Sequence, residues 1–112
     1  MQNRDEKLSL LRTLLLDYSY PEKRSPEMLR EIDSLLTWAV SEVVQLGSTS
    51  IAIESALGPP HLMFGEKSDE TSDWFYPVLP TPTESTRAAE WFVCLRFRDG
   101  IVYSIDRRGW IE

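Results

Sequence analysis

Catalysis needs side chains that can move a proton, hold a metal or attack a substrate, and this sequence offers few at useful spacings. His61 is the only histidine. It follows Pro59-Pro60, which places it on a loop, and neither a Gly-x-Ser-x-Gly elbow nor a helix brings a serine to it. It is expected to be a surface or loop-packing residue. Cys94 is the only cysteine, so the chain can form no internal disulfide and no thiolate-rich metal site. A single imidazole, a single thiol and scattered carboxylates give no repeated ligand spacing. The run "EKSDE" at 66–70 lacks the alternating oxygens and glycine of a calcium loop. The glycines are too dispersed to cradle a phosphate. The reading is a chain that is not an enzyme and takes no cofactor and no metal.

Two constellations suit binding instead. Glu66, Asp69, Glu70 and Asp73 cluster beside Phe64 and Trp74, an acidic, aromatic-rimmed loop suited to gripping a basic partner. Charge would raise the encounter rate there, and aromatic burial would supply affinity. Arg96, Arg98, Arg107 and Arg108 gather near Trp110, where an anion or an acidic protein surface could dock. Both also read as solvated surface, the arginines partly neutralised by Asp99 and Asp106. The candidate partner-binding residues are Glu66, Asp69, Glu70, Trp74, Arg96, Arg98, Arg108 and Trp110.

The 112 residues, 42% hydrophobic and 27% charged, suit one soluble domain with one core. A net charge of −6 disfavours nucleic acid, and no basic tract offsets it, so the expected partner is another protein, a basic one fitting best. The leucine run near the N-terminus is preceded by acids and broken by Arg12, without a signal-like apolar region or a cysteine for lipidation. Cytoplasmic placement without membrane insertion is the expectation.

These residues must be held by elements that the pattern reveals. Leu8, Leu11, Leu15 and Tyr18 mark a short amphipathic helix ending before Pro21. Ser25-Pro26-Glu27 is a strong helix start, with an N-cap oxygen, a first-turn proline and an acid at the positive end. Leu29, Ile32, Leu36, Ala39, Val43 and Leu46 continue that helix until Gly47 closes it. The stretch "GSTSIAIESALGPP" reads as a clasp: Thr49 or Ser50 caps a short helix that Gly58 and the prolines stop, although alternation at Thr49, Ile51 and Ile53 also permits a strand. Residues 61–73 read as a connection. Trp74, Tyr76 and Val78 share one face of a strand that Pro77 confines to a sheet edge or a bulge. Residues 80–89 read as a loop. The final segment is a hairpin, for which two turns compete. A two-residue Asp-Gly turn is the usual choice. A three-residue turn, Arg98-Asp99-Gly100, instead pairs Phe97 with Ile101, Leu95 with Tyr103 and Val93 with Ile105, gathering all six on one buried face. The three-residue turn is preferred.

Gly47, Thr49, Ile53, Ala56, Leu57, Gly58 and Pro60, followed by Trp74-Phe75-Tyr76 and "LRFRDGIV", resemble the SmpA/OmlA/BamE domain of outer-membrane assembly lipoproteins over about residues 47–105. The resemblance implies helices on one face of a three-stranded antiparallel meander, and a protein-binding role without catalysis. The expectation is one α+β domain over residues 1–112, with 1–46 a helical extension and 47–112 the BamE-like part. It would act as a non-enzymatic interaction module using its open sheet face and acidic-aromatic loop, as a monomer or weak homo-oligomer. The alternatives are an immunity or inhibitor protein that neutralises a toxin or enzyme, and a small enzyme with a pocket near His61.

Overall fold

In a computed structural model of the chain, residues 3–65, 71–81 and 90–110 are described. Among these residues three α-helices, with a single 3-10 turn (Pro21–Lys23) between the first two, precede an antiparallel sheet: α1 (Arg4–Tyr18), α2 (Pro26–Glu42), α3 (Ser50–Leu57), then β1 (Leu62–Phe64), β2 (Thr71–Val78), β3 (Glu90–Arg98) and β4 (Ile101–Trp110). The class is α+β. Among the described residues the sheet has four strands in the sequential order β1-β2-β3-β4, one more than the three expected. The extra strand, β1, lies inside the segment read as a connection. It is three residues long, too short to show alternation, and pairs Leu62, Met63 and Phe64 with Phe75, Trp74 and Asp73.

Local chemistry accounts for the helix starts. Asn3 Oδ1 accepts from Glu6 N–H, Ser25 Oγ from Met28 N–H, and Thr49 Oγ1 from Ala52 N–H, each oxygen capping amides that a first turn leaves without partners. Pro26 occupies the first turn of α2, as its missing N–H allows. α2 ends at Glu42, earlier than the stripe to Leu46 suggested. Val43 and Val44 N–H both turn back to Ala39 carbonyl, which buries Val44 and leaves Leu46 exposed. Gly47 then serves the following turn with φ 96 rather than closing the helix.

One apolar core unites the helices with one face of the sheet. It joins Leu8, Leu11 and Leu15 of α1, Ile32, Leu36 and Ala39 of α2, and Ile53 and Leu57 of α3 to Trp74, Tyr76, Val78, Val93, Leu95, Phe97 and Val102. α2 lies against β2. Deep in this layer Tyr76 Oη donates to Gly58 carbonyl at 3.0 Å, tying β2 to the end of α3. A smaller apolar group of Phe75, Phe92 and Cys94, with Leu62 against it, occupies the other face.

β2 is an interior strand, paired with β1 and β3, and its register with β3 is unbroken at Pro77, so neither the sheet edge nor the bulge expected from Pro77 occurs. The proline is tolerated because it lies beyond the Leu62↔Phe75 pair at which β1 begins, where β2 has only β3 beside it.

The terminal hairpin departs from the preferred three-residue turn. Arg98 pairs with Ile101 and Phe97 with Val102, leaving Asp99 (φ 53) and Gly100 (φ 74) as a two-residue turn with both residues left-handed, the arrangement whose twist matches paired strands. The register then shifts: Arg96 pairs with Ser104 and Leu95 with Ile105, so Tyr103 is an extra residue in β4. That bulge resolves the conflict of pattern. Val102 enters the core opposite Phe97, Tyr103 and Ile101 stay exposed, and Ile105 rejoins the buried side beside Leu95. The apolar side of β3 faces the helices as expected, but none of the three expected pairs forms: Phe97 lies opposite Val102, Leu95 opposite Ile105 and Val93 opposite Arg107.

The clasp is a backbone device. Gly47 N–H donates to Val102 carbonyl (2.8 Å), Val102 N–H to Ser48 carbonyl (2.9 Å), and Ser50 N–H to Gly100 carbonyl (2.8 Å), with a bridge between Thr49 and Ile101. Residues 47–50 thus extend the sheet beside the start of β4 before turning into α3. Both alternatives weighed for this stretch hold in part, a strand-like bridge at Thr49 and a helix from Ser50.

Candidate functional site

Strand pairing fixes which side chains share the sheet face away from the helices. Cys94 pairs with Phe75 and Asp106, Arg96 with Asp73 and Ser104, Phe92 with Arg108, and Glu90 with Trp110. Directly opposed residues point to the same side. This face therefore carries Phe64, Asp73, Arg96, Asp106, Arg108 and Trp110 around the buried floor of Phe75, Phe92 and Cys94.

Two parts can be distinguished. The aromatic part is a stack: the Phe64 and Trp110 rings lie 5.8 Å apart and within 5° of parallel, and Phe64 also meets Phe75 edge-on at 5.4 Å. The stack joins the first and last strands, the two edges of the sheet, across its face. Phe64 is 49% and Trp110 41% exposed, so each ring has one side on protein and much of the other in solvent. The polar part centres on Arg96. Its Nε is buried without a hydrogen bond, 4.0 Å from Asp73 Oδ1 and 3.8 Å from Asp106 Oδ2. Asp106 also accepts from Ser104 Oγ and lies 4.0 Å from Arg108 Nη2. These ion pairs are partly exposed, so each contributes little stability, but together they hold the guanidinium in place.

Arg96, Arg98, Arg108 and Trp110 share this face, as the sequence suggested. Trp74 does not. It is 1% exposed, on the opposite side of the sheet, packed 4.5 Å from Phe97, and so drops out of the candidate surface. Even spacing along β2 sends Trp74 inward with Tyr76 and Val78. Asp73, grouped by sequence with the acidic connection, is instead part of β2 and partners Arg96. Glu66, Asp69 and Glu70 lie outside the described residues. Phe64 was legible only as the rim of a loop; its aromatic partner lies on a distant strand. Tyr103, exposed by the bulge with Arg98 Cζ 4.8 Å from its ring centroid, was missed because its position was assigned to the core.

His61 sits at the edge of the sheet, its ring 5.2 Å from Tyr18 and 6.1 Å from Phe92. Burial, with Arg24 adding, lowers its pKa from the usual 6.5, favouring a neutral ring wedged between aromatics. The cavity beside it, about 140 Å³, is walled by Leu15, Leu16, Leu57 and the prolines, with Arg12 already donating to Ala56 carbonyl. Burial, with Asp73 adding, pushes the Cys94 thiol up to about 11, the opposite of what a nucleophile needs. No group of three metal-ligating side chains occurs among the described residues. Nor, among them, is any helix long and apolar enough to cross a membrane.

Comparison of the chain with protein-family models, with curated proteins and with solved structures gives no match in any of the three.

Proposed function

We propose that the chain is a non-enzymatic protein-interaction module that docks a partner on the sheet face away from the helices, the role implied by its resemblance to SmpA/OmlA/BamE domains. The observation that carries this reading is the half-exposed Phe64–Trp110 stack. Large aromatics held rigid by their neighbours lose little entropy when covered, and such residues beside arginines dominate binding energies at protein interfaces. Arg96, Arg98 and Arg108 would meet carboxylates or carbonyls of the partner. The acidic residues Glu66, Asp69 and Glu70 follow Phe64-Gly65 in sequence and, with the overall charge of −6, favour a basic partner.

The test is capture from the native cell with the wild-type chain, with a Phe64→Ser/Trp110→Ser variant, and with a Glu31→Ser control altered on an exposed helix position, followed by rebinding of the purified captured protein. Retention by wild type and control with loss of at least tenfold in affinity for the double variant is expected. Equal binding by all three would remove the sheet face from the interface.

A further inference from the structure

A second feature lies on the helix side of the molecule and plays no part in the reading above. Between the end of α1, the start of α2 and the residue after β2 there is an open groove of about 470 Å³, within the range of small-molecule sites. Tyr18, Pro26, Leu29 and Leu79 give it apolar walls, Tyr18 being buried and the two leucines half-buried. Two guanidiniums, of Arg24 and Arg30, also line it.

Arg24 is held rather than mobile. Its Nε donates to Tyr18 carbonyl, and its Cζ lies 4.3 Å from the Tyr18 ring centroid. These two contacts fix the plane of the guanidinium and leave both terminal nitrogens without a hydrogen-bond partner among the described residues. Of the acids nearby, Asp33 Oδ1 accepts from Leu79 N–H at 3.0 Å and Glu27 pairs with Arg30 at 3.5 Å, while the Glu90 carboxylate is near enough to act electrostatically on Tyr18 and His61. The Glu27–Arg30 pair is exposed, so Arg30 is free to turn toward an incoming anion at little cost. A planar fork already pinned at one end receives a carboxylate bidentately without the ordering cost that a free arginine would bear. One guanidinium with its two terminal nitrogens open, above apolar walls, matches a single negative charge on a greasy body better than a dianion, which would need further donors.

We propose that this groove binds a small carboxylic acid with an apolar body, its carboxylate on the terminal nitrogens of Arg24 and its body against Tyr18, Leu29 and Leu79. The experiment is an amide NMR titration of the full chain with 3-phenylpropanoate, beside 3-phenylpropan-1-ol, which has the body without the charge, and acetate, which has the charge without the body. Saturable shifts centred on Tyr18, Leu29 and Leu79 are expected for the acid, with affinity at least about tenfold weaker for both controls. Arg24→Gln should weaken the acid by at least about tenfold. Arg24→Lys, which keeps the charge but not the paired donors, should fall between and supplies the readout if Arg24→Gln does not fold. No saturation at millimolar acid, shifts centred elsewhere, or equal affinity for acid and alcohol would each overturn the proposal. Phe64→Ser/Trp110→Ser should leave this titration unchanged, so failure here and failure of the sheet-face reading are separable.

Discussion

Phe64 at the end of β1 and Trp110 at the end of β4 stack across the sheet from its two opposite edges, 5.8 Å apart and nearly parallel. Strands at opposite edges of a flat four-stranded sheet are too far apart for such contact, so the stack reports strong twist and coil, which bring two corners together. Through Phe64 it also packs on Phe75.

The pair should therefore be energetically coupled. In a double-mutant cycle with Phe64→Leu and Trp110→Leu, a coupling of about 0.5–1.5 kcal/mol is expected, as for other packed aromatic pairs. Urea unfolding of the four chains measures it. A coupling indistinguishable from zero would mean that the rings merely lie near each other.

The turn offers a sharper test of the hairpin. Gly100 has φ 74, and a Cβ there would meet only Ser50 Oγ at 3.8 Å, so space is not the constraint. Gly100→Ala should cost about 1–2 kcal/mol through backbone strain alone. Asp99→Asn, which keeps a residue tolerant of the left-handed region, should change stability by less than about 0.5 kcal/mol. Denaturant midpoints of the two variants decide.

This hairpin also shows what a sequence conveys and what it hides. The Asp-Gly pair signalled its turn correctly, but the apolar alternation of Ile101, Tyr103 and Ile105 imitated a strand of unbroken parity and argued for the wrong loop. A bulge inserts one residue and leaves no mark in composition. β1 was hidden for a related reason, since three residues carry no period. The caps at Ser25 and Thr49 and the inward side of β3 were legible because each depends on neighbours in sequence. The candidate surface was legible only in part: Arg96, Arg98, Arg108 and Trp110 belong to one strand pair, whereas Phe64 and Asp73 join them through pairings that only the folded sheet creates.

Cys94 should be inert in the native chain. Its thiol is fully buried, and its pKa is pushed up to about 11 from 9.0. That alone lowers the thiolate fraction at neutral pH about a hundredfold. Alkylation by iodoacetamide should proceed at least that much more slowly in the folded chain than in urea. Comparable rates in the two states would contradict the burial.

His61 should make stability depend on pH in a defined window. Its folded pKa lies below 6.5, so below pH 6.5 the unfolded chain takes up a proton that the folded chain still refuses. Stability from this residue is thus complete above 6.5 and falls as pH drops toward the lowered folded value. Unfolding free energies at pH 7.5 and 5.5 should differ less in His61→Gln than in the wild type. An unchanged difference would assign the effect to other groups.

The hydrogen bonds between residues 47–50 and the start of β4 have a consequence for how the chain matures on the ribosome. The helices emerge first, yet the amides of Gly47 and Ser50 find their acceptors only when Gly100 and Val102 have been made. A nascent chain stopped at Arg98 would hold its helices and β1–β3 without this latch, which closes only once Gly100 and Val102 have followed.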